Sequence, residues 1–196
     1  MWVRGAAIRP VPPYAVVDGA VLDALEVELG GDSEHTRSTL DSAFARFEQT
    51  QPHVAERLGT LLGRPIDDTA LALGYFLSIA IWLAFERSFG ARLTQVTEAE
   101  VEATEAALRL EDDLRARHGE QPLDLEDVVA IEQPGIVSFI HGHVEAALEP
   151  HPEEGDRREV DVDDVYAVYR TMLVVSLALS HAVLPAHGAR PPELLA

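Results

Sequence analysis

Two long apolar stretches constrain this chain more than any other feature. Residues 69–85 read "TALALGYFLSIAIWLAF" and residues 165–183 read "VYAVYRTMLVVSLALSHAV". A helix that is apolar nearly all round must be surrounded by other elements or by lipid. The first stretch sits at the lower length limit for spanning a bilayer. Asp67-Asp68 and Glu86-Arg87 bound it, without the cationic flanks that fix a membrane anchor. The expectation is therefore an all-α bundle with two central apolar helices, at 68–89 and 164–183, and no membrane span.

The rest of the chain also reads as helix, with no convincing period-two alternation. "DGAVLDALEVEL" at 18–29 runs into Gly30-Gly31. Residues 33–50 carry Leu40, Phe44 and Phe47 on one face, and Pro52 opens or kinks a segment that stops at Gly63. Asp67 and Asp68 are suited to cap the first apolar helix and Gly90 to end it. Thr97-Glu-Ala-Glu100 matches a capping box at the head of a Glu-rich surface helix with a thin stripe of Val101 and Leu108. A helix starting near Asp124 spans 125–148, interrupted at Pro134-Gly135. The charged "EPHPEEGDRREVDV" follows as a loop, then Asp163-Asp164 lead the last helix, closed by Pro185. The predicted organisation is an irregular Pro-rich arm (1–17), one helical domain of about six to seven helices (18–186) and a tail (187–196).

The two halves share a sentence. "FEQTQPHVAERLG" precedes Asp67-Asp68 and an apolar helix, and "IEQPGIVSFIHGH" precedes Asp163-Asp164 and another. This recurrence suggests an internal duplication, although Pro and capping residues recur for generic reasons. Under it Glu48 and Glu132 become symmetry mates beside two Pro kinks, where Pro52 frees the Glu48 carbonyl and Pro134 that of Ala130.

The formal net charge is −19 at pH 7. Such a field repels phosphate backbones and anionic lipid, so neither nucleic acid nor membrane is an expected partner. An acidic surface that docks on a basic protein is compatible with it. No Cys is present, which excludes disulfides and thiolate metal sites and fits a cytoplasmic location. No Gly-Xaa-Ser-Xaa-Gly sequence and no phosphate loop occurs, and no cofactor is expected.

Candidate sites are few. His141 and His143 lie two apart and cannot share a helix face, but His141 and Glu145, four apart, make a metal half-site. No Glu-Xaa-Xaa-His completes a di-metal centre. The Asp-Asp pairs at 67–68, 112–113 and 163–164 lack the spacing for diphosphate chemistry, and the first and third read as helix starts. Arg170 is a cation inside an apolar run, so it either snorkels or pairs with Glu48 or Glu132 in a polar notch that could recognise a ligand. Two functions follow from different classes. The first is a non-catalytic interaction or scaffold protein, expected as a homodimer through its apolar helices. The second is a small-molecule or metal-binding protein, conceivably an enzyme, using Glu48, Glu132, Arg170 and His141.

Overall fold

The computed structural model describes residues 9–31, 33–118, 132–149 and 160–186. Seven α-helices lie among them: α1 (Gly19–Leu29), α2 (Glu34–Thr50), α3 (Pro52–Leu62), α4 (Asp68–Phe89), α5 (Glu98–His118), α6 (Pro134–Leu148) and α7 (Val162–His181). The expected helix segment at 125–131, with its start near Asp124, lies outside the described residues. So do the tail, residues 1–8 of the arm, most of the charged loop and the side chains of Asp112 and Asp113.

The helices begin where small polar side chains can satisfy their first N–H groups. Asp18 accepts from Ala20, Ser33 from Thr36, and Asp67 from Thr69 and Ala70. At Thr97 the expected capping box forms in both directions, Thr97 N–H to the Glu100 carboxylate (2.7 Å) and Glu100 N–H to Thr97 Oγ1 (3.3 Å). Bonds donated by the Thr97 N–H and then by its hydroxyl hold the Glu100 carboxyl below its usual range. Gly90 ends α4 at φ +52°, a backbone state that disfavours any side chain.

The α4 and α7 helices form the centre, as their composition requires. Residues 77–85 of α4 and 172–180 of α7 are continuously buried. Their relative direction follows from the contacts at each end. At one end Asp67 N–H donates to Asp164 Oδ2 (2.8 Å); at the other, Thr94 N–H donates to the Ala182 carbonyl and Leu184 N–H to that of Arg92. The central helices therefore run parallel. This alignment brings two positive helix ends together, and Asp67, Asp68, Asp161, Asp163 and Asp164 supply negative charge there. The only helix long and apolar enough to cross a membrane, among the described residues, is α4 with its extension to Arg92, and 67% of its most apolar window is buried inside the bundle.

Around this pair, α2 packs Phe47 against Trp82 in a tilted pair (centroids 5.6 Å), and Arg46 lies 5.5 Å over the same indole. The α5 helix is polar outward as expected, yet Val101 and Leu108 are both buried, and Arg57 of α3 pairs with its Glu105. Gly74 of α4 faces Leu62 and Val168, where a Cβ would come within 2.7 Å of the Leu62 side chain.

Four expectations are corrected. The last helix starts at Val162, two residues earlier than expected, and its cap is Asp161, which accepts from the N–H groups of both Asp163 and Asp164. Pro52 opens a segment, the first of the two alternatives, and the kink reading is what falls: Pro52 and Pro134 each occupy the first turn of a new helix, after Gln51 (φ −133°, ψ 56°) and Gln133 (φ −136°, ψ 63°). The N-terminal arm is irregular but is not an appendage, because Val11, Ala15 and Val17 are buried in the core. Finally, a strand-like bridge pairs Leu93 with Val183, where only helix and loop were expected.

Candidate functional site

The two Gln-Pro junctions share more than backbone angles. Gln51 is buried, and its side-chain amide donates to the Thr94 carbonyl (2.9 Å) and accepts from Val96 N–H (2.9 Å). Gln133 is fully buried, donates to the Ala15 carbonyl (2.8 Å) and to Ser180 Oγ (2.9 Å), and accepts from Val17 N–H (3.0 Å). Each amide thus pairs with residues i and i+2 of a connecting segment that then enters a helix, α5 in one case and α1 in the other, where Ala15 closes a 3-10 turn over Pro13–Ala15. A buried primary amide needs such partners, since each unsatisfied polar atom is costly.

The expected notch residues occupy separate places. Glu48 is exposed on α2. Glu132 is half-buried, and its Oε2 accepts from Val11 N–H (2.9 Å), beside the C-terminal turns of α7 that Gln133 touches at Ser180. Arg170 is half-buried in the N-terminal half of α7. It lies ten residues from Ser180, about 15 Å along the helix axis. The structure does not gather these three side chains into one notch. The residues that do correspond between the junctions are Gln51 and Gln133 rather than Glu48 and Glu132. The shared Gln-Pro dipeptide was the signal that could have found them.

On α6 the His-Gly-His sequence divides between two faces, as a two-residue helical spacing demands. His141 turns to α7, where its Nε2 lies 3.2 Å from the Tyr169 hydroxyl and its ring stacks at 5.6 Å. Together with the Gln133–Ser180 bond, this makes α6 antiparallel to α7. Leu148 and Val162 therefore come to the same end. Val162, Tyr166 and Tyr169 follow each other at i, i+4 and i+7, and His141, Glu145 and Leu148 do the same on α6. Val162 is 61% exposed and Tyr166 59%, with exposed Glu145 and Asp163 on the same two helices and exposed Glu149 and Asp161 at their caps. The His141–Glu145 half-site belongs to this face. No group of three or more His, Asp or Glu with metal-binding geometry occurs among the described residues.

His143 turns the other way, into a groove of about 320 Å³ between α6 and α1. The groove closes at the helix starts, where a Cβ on Gly135 would meet the Gly19 backbone at 3.1 Å. Farther along, Asp23 and Glu26 of α1 face Ser138, Phe139 and His143 of α6 across Gly142. The His143 ring packs edge-on against Phe139 (4.5 Å) and Phe76 (4.9 Å). Burial lowers its pKa from the ordinary 6.5, against the opposing pull of the Glu26 charge. Sequence reasoning missed this groove. Its trace is the run of small residues Ser138, Gly142 and Ala146 at four-residue spacing on one α6 face.

Comparison with protein-family models, with curated proteins and with solved structures yields no match to this chain.

Proposed function

We propose that this protein is a non-catalytic interaction module whose α6–α7 face docks a basic protein partner. The observation that carries the reading is the pair Val162 and Tyr166, one turn apart and each more than half exposed, on a face whose two helices and their caps also carry exposed carboxylates. Large apolar side chains at a surface rimmed with charge are the usual anchors of protein recognition. Tyrosine adds an aromatic face for an arginine or lysine, at about 0.5–1 kcal/mol when exposed. The net charge of −19 steers a cationic partner toward the molecule and disfavours nucleic acid and anionic membranes. A cytoplasmic location belongs to the same proposal.

The homodimer expected from the sequence rested on apolar helices that pack against each other inside one chain. A second copy docking on the α6–α7 face would bring like charges together, so a basic partner fits better. An internal duplication also forms part of the reading: the two glutamine pairings and the parallel central helices support two related halves joined by an exchange of connecting segments.

The test is affinity capture with the wild type and with Tyr166→Asp and Val162→Asp, together with light scattering. A net-basic protein retained by the wild type, lost with either variant and released by moderate salt supports the proposal. Capture that ignores both variants refutes it. A stable dimer split by Tyr166→Asp assigns the face to a second copy instead.

A further inference from the structure

The geometry points to the α1–α6 groove as a binding site for a small organic ammonium ion carrying a short apolar body. This site lies on the opposite side of α6 from the docking face and does not depend on it. Its volume, about 320 Å³, is at the lower end of the range for small-molecule sites. Its walls differ in character. Asp23 and Glu26 are three residues apart on α1, so both carboxylates face the same way, toward α6. The α6 wall offers Phe139 and the edge-packed ring of His143, with the Ser138 hydroxyl beside them.

Three observations select a cation with an apolar body over other ligands. Both charged groups of the groove are carboxylates, and the field of the whole chain has the same sign, which concentrates cations and repels anions. Burial lowers the His143 pKa, so this lining ring opposes a cation less than an ordinary imidazole would. The floor is Gly142, inside α6, where glycine is a poor helix former. A Cβ there would meet nothing within 4 Å, so no neighbouring side chain or backbone requires the glycine. What its absent side chain provides is space for a ligand body against Phe139.

The experiment titrates ¹⁵N-labelled protein with three probes of similar shape: phenethylamine, 2-phenylethanol and 3-phenylpropionate. Saturable shifts confined to residues 19–26 and 135–146 are expected for the amine. The neutral alcohol should bind about tenfold more weakly, a difference of about 1.4 kcal/mol, and the anion should leave these signals unmoved. Glu26→Gln should weaken the amine about fivefold, in line with a partly exposed ion pair of about 1 kcal/mol. Gly142→Leu should abolish binding while keeping the helical circular dichroism of the wild type. Gly59→Leu is the control, since a Cβ there also meets open space but lies on α3, outside the groove. Should Gly142→Leu not fold, Gly142→Ala and Glu26→Gln carry the test. The proposal is overturned by amine and alcohol binding alike, by shifts scattered over the acidic surface, or by Glu26→Gln binding as the wild type does.

Discussion

Replacing Gln133 by leucine removes the amide that joins the N-terminal segment to the last helix. The side chain is fully buried and makes bonds to Ala15, Val17 and Ser180. Leucine has similar bulk, so the packing term is small and the loss comes from stranded polar groups. Two backbone groups, the Ala15 carbonyl and the Val17 N–H, lose their partner at about 1–3 kcal/mol each, giving about 2–6 kcal/mol. Against a typical domain stability of about 5–15 kcal/mol this is a large fraction. Urea unfolding followed at 222 nm measures the loss, and hydrogen exchange at the Val17 amide locates it. Gln133→Glu separates the two sides of the clamp. At neutral pH the carboxylate can still accept from Val17 but cannot donate to Ala15; protonated, it can do both. Its deficit relative to the wild type should therefore shrink on acidification. A loss below about 1 kcal/mol for Gln133→Leu, with unchanged Val17 protection, would refute the assignment.

Four further outcomes follow. Gln51→Leu strands the Thr94 carbonyl and Val96 N–H and should lose about 2–6 kcal/mol in the same urea assay. Gly142→Ala should raise stability by about 0.5–1 kcal/mol, because it improves helix propensity without a clash. Gly74→Val should lower it by about 1–3 kcal/mol through overpacking between Leu62 and Val168. In an NMR titration the His143 imidazole should titrate below 6.5, and Glu26→Gln should lower it further by removing the attracting charge. His181 shares the sign of this shift, from burial first and then from Arg9. Both imidazoles favour the folded state when neutral, so their contribution is full above pH 6.5 and is lost as the pH falls through their folded values.

The fold class was legible because helix signals are local. The burial of α4 and α7 follows from their composition, and the caps at Asp67 and Thr97 from residue type at a helix start. The misplaced start of α7 has the same local origin. Three aspartates, Asp161, Asp163 and Asp164, compete for one cap within four residues, and only the geometry shows that Asp161 takes it. Tertiary pairings left weaker traces. Glutamine before proline announces a junction, but not that its amide will reach Thr94 and Val96, or Ala15 and Val17. For the same reason the arm at 1–17 was set outside the helical domain: the partners of Val11 and Val17 are Glu132 and Gln133, far along the chain. The groove was hidden because it exists only where α1 and α6 diverge. Neither helix alone marks Asp23, Glu26 or His143 as neighbours.

The strap over residues 9–17 has a consequence for synthesis. Its bonds join the Arg9 carbonyl to His181, Val11 N–H to Glu132 and Val17 N–H to Gln133, so this segment is sealed by residues made 116 to 172 positions later. Translation adds about 5–20 residues per second, and pairing of distant segments is intrinsically slow. On the ribosome, the Val11 and Val17 amides wait for their partners until Glu132 and Gln133 emerge, while Arg92 can already reach the Tyr14 carbonyl. A nascent chain stalled before Glu132 would lack the partners of Val11, Val17 and the Arg9 carbonyl, a form suited to chaperone capture.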